Sequence, residues 1–338
     1  MDYREVLVTG GTGFLGRHVV RALVARGFLP RLLVRAGSEE RIPGDIRSAC
    51  RVTPGDATDA ESVENAVQGT GAIVHLAGIV RECPGRGVTF ERVHVTATRN
   101  LVKAARRWDI PRYVHVGALG ARPGDPRAFF DSKGRGEEIV RNSGLLWTIV
   151  RPSAIFGPGD GFVDALLRVL RRSPVAPVPG DGAVTFQPVF AGDVAAAIAD
   201  AVSRRAAAGR SVDLGGPERL SLDAIVDAVG AALGRRIAKA HVPLPLVRSA
   251  VRVLSRFDGF PVSPAEIDFL TADSVCESGP YWAEIGRMPV SLGEYLGSIA
   301  GGRPASPVDV PGVGAPPAGE GRTPGTPRRE APPSEKAA

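Results

Sequence analysis

Eight residues near the N-terminus, Thr9-Gly10-Gly11-Thr12-Gly13-Phe14-Leu15-Gly16, constrain this chain more than any other stretch. They follow the apolar run Val6-Leu7-Val8 and lead into residues 17–26, where Val19, Val20, Leu23 and Val24 share one helical face. A glycine-rich string alone says little. A strand before it and an amphipathic helix after it make a strand–turn–helix unit, which is far more specific. In such a unit Gly10 permits the tight turn, Gly13 lets the backbone approach an anion, and Gly16 allows close helix–strand packing. Thr12, Phe14 and Leu15 complete the turn, whose free N–H groups and helix dipole suit a pyrophosphate. The first twenty-odd residues therefore predict a dinucleotide site of the Rossmann type.

The rest of the chain fits that start. Leu32-Leu33-Val34, residues 72–76, Tyr113-Val114-His115-Val116 and Trp147-Thr148-Ile149-Val150 read as buried strands, with a helix over 96–107. Continuous apolar strands alternating with helices predict a parallel sheet covered on both faces. The expected fold is α/β: a doubly wound Rossmann sheet over 1–155, then a smaller α/β domain of substrate type over 156–300. Segments of 184–217 are expected to return to the sheet. Residues 184–190 read as a strand, Asp193 as the cap of a helix over 194–202, and Val212-Asp213-Leu214 as a strand before a helix starting at Ser221. From 301 to 338 the chain is rich in Pro, Gly and mixed charge, and it is expected to be a disordered tail.

Bulk properties exclude several classes. The 42 basic and 36 acidic residues leave a net charge of +6, spread along the chain without the concentrated basic face that nucleic acid requires. Cys50, Cys83 and Cys276 are far apart and form neither a disulfide framework nor a zinc site. No apolar run reaches the ~18 residues of a membrane span, and no signal segment precedes the first strand. The expected location is cytoplasmic, at most peripheral to the inner membrane.

The end of the second strand bears on which dinucleotide is bound. An acid there would bond the ribose 2′-hydroxyl of NAD, whereas an arginine suits the 2′-phosphate of NADP. The chain has Val34-Arg35 and no acid until Glu39, so NADP(H) is the expected preference, with NAD(H) still possible. Arg35 as a plain surface residue is the competing reading; Arg17 is a further phosphate candidate or simply exposed. Asp56 and Ala57, after the third strand, are placed for the adenine, with Asp56 as a helix cap the alternative. Leu76, Ala77 and Gly78 are small enough for backbone to run beside the cofactor.

At this point the chain resembles a known family, the extended and atypical short-chain dehydrogenase/reductases, which are NAD-dependent epimerase/dehydratase-like. Within it the likeness is to the group typified by the Rossmann-type accessory subunit of respiratory complex I. The marks are the glycine turn, His75-Leu76-Ala77-Gly78, Thr98-Arg99-Asn100-Leu101, Arg151-Pro152-Ser153-Ala154-Ile155-Phe156-Gly157-Pro158, and Gln187-Pro188 leading to Asp193-Val194. The resemblance implies that Pro152 to Ile155 passes the nicotinamide end and that Lys133 reaches the nicotinamide ribose. It also implies a Tyr four residues before the Lys and a nearby Ser as proton-transfer groups. Here those positions hold Phe129 and Gly117-Ala118, and none of the four tyrosines has a Lys four residues on.

Two functions stay open. One is an NADP(H)-binding protein without Tyr-dependent reduction, beside a respiratory or quinone-related system. The other is an active oxidoreductase, epimerase or dehydratase on a sugar-nucleotide, sterol-like or quinone-like substrate, with His94 or a water as proton donor. The remaining histidines are expected to be satisfied core or surface residues, and Asp160 and Asp164 face either a cleft or solvent. Residues 246–257 carry Arg248, Arg252 and Arg256 beside Val247, Ala250, Val251 and Leu254. Such a helix either packs on its own domain, the preferred reading, or lies on an anionic membrane.

Overall fold

The computed structural model describes residues 4–255 and 262–300. Its centre is a seven-stranded sheet of β1 (Glu5–Thr9), β2 (Leu29–Val34), β3 (Arg51–Pro54), β4 (Ala72–His75), β5 (Arg112–Val116), β6 (Leu146–Pro152) and β7 (Arg210–Leu214). All pairings are parallel, in the order β7-β6-β5-β4-β1-β2-β3. The chain winds outward from β1 to β3, then crosses back to β4 and winds the other way. That reversal opens a crevice at the carboxyl ends of β1 and β4, where sheets of this kind bind ligands.

Alternate residues of β1 face opposite sides, and both sides are buried. Val6 and Val8 join the core under α1 (Phe14–Ala25) and α6 (Ala191–Ser203), with Val19, Val20, Leu23, Val194 and Ile198. Leu7 faces the other way, into a core with Val63, Ala66, Leu101, Ala105 and Val140. These come from α2 (Ala60–Val67), α3 (Ala97–Arg107) and α4 (Ala128–Arg141). Burial on both faces is why the strands read as unbroken apolar runs rather than as alternation.

A separate apolar cluster lies beyond β6. Phe156, Phe186, Phe190 and Tyr295 join residues of α5 (Val163–Arg172) and α7 (Leu222–Ala232). The chain continues through α8 (Leu244–Leu254), α9 (Pro264–Leu270), α10 (Gly279–Glu284) and α11 (Leu292–Ala300).

Several local expectations are corrected. Residues 184–190 do not form one strand. Thr185–Phe186 pairs antiparallel with Leu220–Ser221, and Val189–Phe190 pairs parallel with Ile155–Phe156, because Gln187-Pro188 interrupts the run. Asp193 does not cap a helix. The helix begins at Ala191, and the fully buried Asp193 carboxylate instead accepts from Arg287 Nε and the Val290 N–H, each at 2.7 Å. A wide π-helical turn, Glu91–Thr96, precedes α3. The reading of residues 301–338 as a tail, and the Arg256 and Phe257 end of the basic helix, lie outside the described residues. Among the described residues no helix is long and apolar enough to cross a membrane.

Candidate functional site

The glycine turn shows why its small positions tolerate no side chain. Gly10 has φ +73°, and a Cβ there would lie 2.8 Å from the Ala77 amide nitrogen at the end of β4. A Cβ on Gly16 would collide with the Gly10 carbonyl oxygen. The Gly13 amide donates to that same oxygen at 3.0 Å and closes the turn. No side chain caps α1, and its first turn holds no acid. The opening amides of Phe14, Leu15 and Gly16 are thus left for a ligand's anionic oxygens, reinforced by the helix dipole. These residues fit a dinucleotide pyrophosphate, and Thr12 stands half-buried within the turn.

Toward the outer strands, Arg35 directly follows β2, is exposed, and makes no hydrogen bond or ion pair with the described residues. Asp56 does not cap α2. That cap is Asp59, which accepts from the Ser62 N–H at 2.9 Å, while Asp56 accepts from the Thr58 N–H at 2.8 Å within its own turn. The Ala57 carbonyl accepts from Asn100 Nδ2 at 3.2 Å. Arg17 is half-buried, and its guanidinium would lie 3.2 Å from a Cβ on Gly159. Asp160 faces neither cleft nor solvent; it is 3% exposed and accepts from the amides of Gly157, Phe162 and Asp164.

At the inner strand ends a chain of hydrogen bonds runs through the buried interior. Thr98 Oγ1 donates to the His94 carbonyl at 2.6 Å, so it accepts from His75 Nε2 at 3.1 Å. His75 Nδ1 is then the acceptor for Thr9 Oγ1 at 2.6 Å, and Thr9 Oγ1 accepts from the Ala77 N–H at 3.4 Å. One proton arrangement satisfies every link, with His75 neutral; burial, then the nearby Lys133 charge, pushes its pKa down to about 3. Leu76 adds its N–H to the Thr9 carbonyl at 3.1 Å. The expectation that core histidines are satisfied holds for His75 and fails for His115, whose two ring nitrogens have no partner among the described residues.

Lys133 projects from α4 and is 7% exposed; its Nζ donates to the Val116 carbonyl at 3.0 Å. A Cβ on Gly78 would lie 2.9 Å from that nitrogen, so the glycine keeps the ammonium accessible from the end of β4. Burial lowers the Lys133 pKa to about 8, opposed by the Glu137 carboxylate one turn on. Phe129, one turn earlier, packs edge-on to His94 at 5.7 Å and to Phe90 at 6.0 Å between ring centroids. Pro152 is buried at the end of β6, and Ile155 stands half-buried beyond it.

His94, the proton donor expected of an active enzyme, has both ring nitrogens engaged. The Ile79 N–H donates to its Nε2 at 3.0 Å, so its Nδ1 carries the proton, donated to Ser132 Oγ at 2.9 Å. Ser132 Oγ in turn donates to the Phe129 carbonyl at 2.9 Å. Both ring nitrogens are consumed, and burial drives the pKa down to about 2. The serine position is closed as well. A Cβ on Gly117 would collide with Glu137 Oε1, and that fully buried carboxylate is held by Arg151 Nη2 at 2.6 Å and Arg141 Nη2 at 2.8 Å.

Sequence reasoning missed the Thr9–His75–Thr98 chain, the Phe90 wall and a tether at the mouth of the site. In that tether Arg81 Nη2 donates to Glu266 Oε2 at 3.2 Å, and Ser263 Oγ donates to the Val80 carbonyl at 3.2 Å. The only available signal was Ser263 and Glu266 spaced as a capping box before α9. No group of His, Cys, Asp or Glu among the described residues could hold a metal.

Comparison with known proteins agrees with this geometry. Residues 10–203 match the family described as NAD(P)H-binding. The chain is 37% identical to the ceramide reductase of Caulobacter vibrioides over 173 residues, 51% of this chain and 53% of that protein. The match thus spans about half the length of that relative. It is 31% identical over 273 residues to the rat mitochondrial NADH dehydrogenase [ubiquinone] 1 alpha subcomplex subunit 9, covering 79% of this chain and 70% of that subunit. Among solved structures, the UDP-glucose 4-epimerase of Thermus thermophilus, complexed with NAD, superposes with a TM-score of 0.67. There the identity is 23%, covering 88% of this chain and 98% of the epimerase, a likeness of fold.

Proposed function

This chain belongs to the NAD(P)H-binding family of extended short-chain dehydrogenase/reductase-like proteins, and from that premise we propose that it holds NADP(H) without Tyr-dependent carbonyl reduction. One observation carries the reading: Phe129 stands one helical turn before Lys133, where a proton-donating phenol is needed, and His94 beside it is locked as a neutral donor–acceptor. When bound, the nicotinamide supplies a hydride. Reduction of a carbonyl also needs a proton at the nascent alkoxide, and a positioned acid typically contributes ~10²–10⁴-fold in rate.

The proposed contacts follow the geometry. The amides of residues 14–16 hold the pyrophosphate, with Gly10, Thr12 and Gly13 shaping the turn. Arg35, free of other partners among the described residues, takes the 2′-phosphate and sets a preference for NADP(H) over NAD(H). Asp56 and Ala57 flank the adenine; Leu76, Ala77 and Gly78 line the cofactor's path; Lys133 donates to the nicotinamide ribose; Pro152 and Ile155 border the ring. Similarity to the NADH dehydrogenase subunit supports a place beside a respiratory or quinone-related assembly.

A second reading has its own support. The match to ceramide reductase, together with the Phe90 and Phe129 wall, favours reduction of an apolar, lipid-like carbonyl. In that reading the buried Lys133, with its pKa near 8, is the titrating group that protonates through a water. One experiment separates the two. The purified protein is denatured and the released dinucleotide identified, and NADPH oxidation is then followed over aldehydes, quinones, sugar nucleotides and keto-lipids. Bound NADP(H) with no turnover supports the first reading. Turnover in the usual enzymatic range of about 1–10³ s⁻¹ on any substrate overturns it.

A further inference from the structure

Among the described residues, every arginine that is buried or half-buried holds a hydrogen bond or an ion pair, with one exception. The exception is Arg17, in the first turn of α1. Arg21, one turn further along the same helix, shows the usual state: its Nε donates to Asp45 Oδ2 at 2.7 Å. An exposed arginine needs no protein partner, because water supplies one. A half-buried guanidinium gives up part of that hydration and is left short of acceptors.

The position deepens the deficit. The start of a helix carries partial positive charge on its free amides, so a cation there has the wrong sign and an acid is the favoured residue. No acid stands in the first turn of α1. The neighbouring loop brings two carboxylates, and neither answers Arg17. Asp160 accepts from the amides of Gly157, Phe162 and Asp164, and Asp164 accepts from the Gly159 amide at 2.7 Å. The turn amides, the helix dipole and the guanidinium thus add positive charge to one place, and nothing among the described residues neutralises it.

The loop also fixes where the guanidinium stands. A long side chain on a helix leans back toward the N-terminus. Gly157 packs on the helix start, where a Cβ would meet the Phe14 ring at 3.7 Å. Gly159, at φ +86°, leaves the space that Arg17 fills: Nη2 would lie 3.2 Å from a Cβ there. The guanidinium is held between this loop and the opening turn of α1.

We propose that Arg17 is the second jaw of the pyrophosphate site, donating to the phosphoryl oxygens that the amides of residues 14–16 hold. A guanidinium suits the task, since its planar fork donates two parallel bonds to one phosphoryl group. The contact is to the part that NADPH and NADH share, which sets Arg17 apart from Arg35. The inference rests on the dinucleotide reading above. It does not depend on which dinucleotide is preferred or on whether it turns over.

The test is calorimetric titration of NADPH, NADH and ADP-ribose, which keeps the pyrophosphate and lacks the nicotinamide. Arg17→Gln is expected to weaken all three by one common factor, about tenfold or more, as a charge-assisted contact is lost. Arg17→Lys keeps the charge without the fork, and its affinities should fall between the two. Thermal unfolding without ligand supplies a readout that a structural role would reverse. With the wrong-signed charge gone from the helix start, free Arg17→Gln should melt at the same temperature or up to about 3 °C higher. Unchanged affinities in Arg17→Gln overturn the proposal, as does a loss confined to NADPH, which would send the guanidinium to the 2′-phosphate. A lower melting temperature of the free variant also overturns it, because Arg17 would then be a contact of the fold. Failure of the unaltered chain to bind any of the three ligands would bring down the dinucleotide reading itself, and this proposal with it.

Discussion

At the proposed pyrophosphate end the protein presents its backbone, and at the proposed nicotinamide end its side chains. The first needs only glycines, a strand and a helix start, all within residues 5–25. The second gathers Thr9, His75, His94, Thr98 and Ser132 from four separated segments into one buried network, with Lys133 bonded to the Val116 carbonyl beside it. A backbone cradle has no chemistry to lose and tolerates variation around it. A side-chain constellation can keep its architecture while one substitution removes its proton donor, and in the function we propose Phe129 beside Lys133 is that situation. On that proposal binding and reaction are separable, and the following experiments press on that separation.

The largest effect is expected at the cradle. In Gly16→Ala the new Cβ would collide with the Gly10 carbonyl oxygen and stand 2.7 Å from Gly11 Cα, both backbone atoms that cannot step aside. The turn must open, and affinity for NADPH and NADH should fall together by about a thousandfold, ~4 kcal/mol. Gly44→Ala, where nothing lies within 4 Å of the added carbon, is the control. Calorimetric titration of both cofactors reads the result. Retained affinity in Gly16→Ala would move the pyrophosphate away from this turn.

The mirror experiment at the proposed reaction end is Gly117→Ser, which would place a hydroxyl where the family resemblance implies one. The added carbon collides with Glu137 Oε1, and that buried carboxylate cannot yield without breaking its pairs with Arg151 and Arg141. Breaking a buried ion pair from one side costs about 3 kcal/mol. The variant should lose that much stability in urea unfolding and gain no turnover, even combined with Phe129→Tyr. A stable, active double variant would mean that Glu137 swings aside readily, and the reaction end would be one step from an enzyme.

The same contrast governs what could be read from the sequence. The glycine turn is local, so its strand, turn and helix were visible as a pattern, and the i, i+4 spacing of Phe129 and Lys133 exposed the missing phenol. The histidine network was not visible, because His75 bonds Thr9 across 66 residues and Thr98 across 23. Asp193 misled for the same reason. Beside a helix start it looks like a cap, but its partners Arg287 and Val290 lie 94 and 97 residues away. Likewise α8 has the pattern of a packing helix, and only the fold reveals that Val251 alone of its residues is buried, with Leu246, Val253 and Leu254 exposed.

Arg35 tests the cradle's outer edge with a smaller effect. Its guanidinium has no other partner among the described residues, so Arg35→Ala removes nothing from the fold. A lost charge-assisted contact to the 2′-phosphate is worth roughly 1.5–3 kcal/mol, tenfold or more in affinity, for NADPH alone. Equal losses for NADPH and NADH, or tighter binding of NADH by the unaltered protein, would refute the NADP(H) preference.

The smallest effect is a pH dependence at Lys133, and its sign differs between the free and the bound protein. Burial lowers the ammonium pKa from 10.5 to about 8, so between those values the unfolded chain holds a proton that the folded chain has released. Stability of the free protein therefore rises with pH across that window, as the cost of burying the charge is relieved. Cofactor binding runs the other way. If Lys133 donates to the ribose as proposed, the ribose hydroxyls favour the charged form and raise its pKa, so affinity is expected to be greatest below pH 8. A rise of about half a unit on binding predicts roughly two- to threefold weaker NADPH binding at pH 9 than at pH 7. Lys133→Met should abolish both trends at once, stabilising the free protein below pH 8 while weakening its hold on NADPH. Affinity of the unaltered protein that stays level from pH 7 to 9 would mean that the Lys133 ammonium does not contact the cofactor, and the proposed ribose contact would fall.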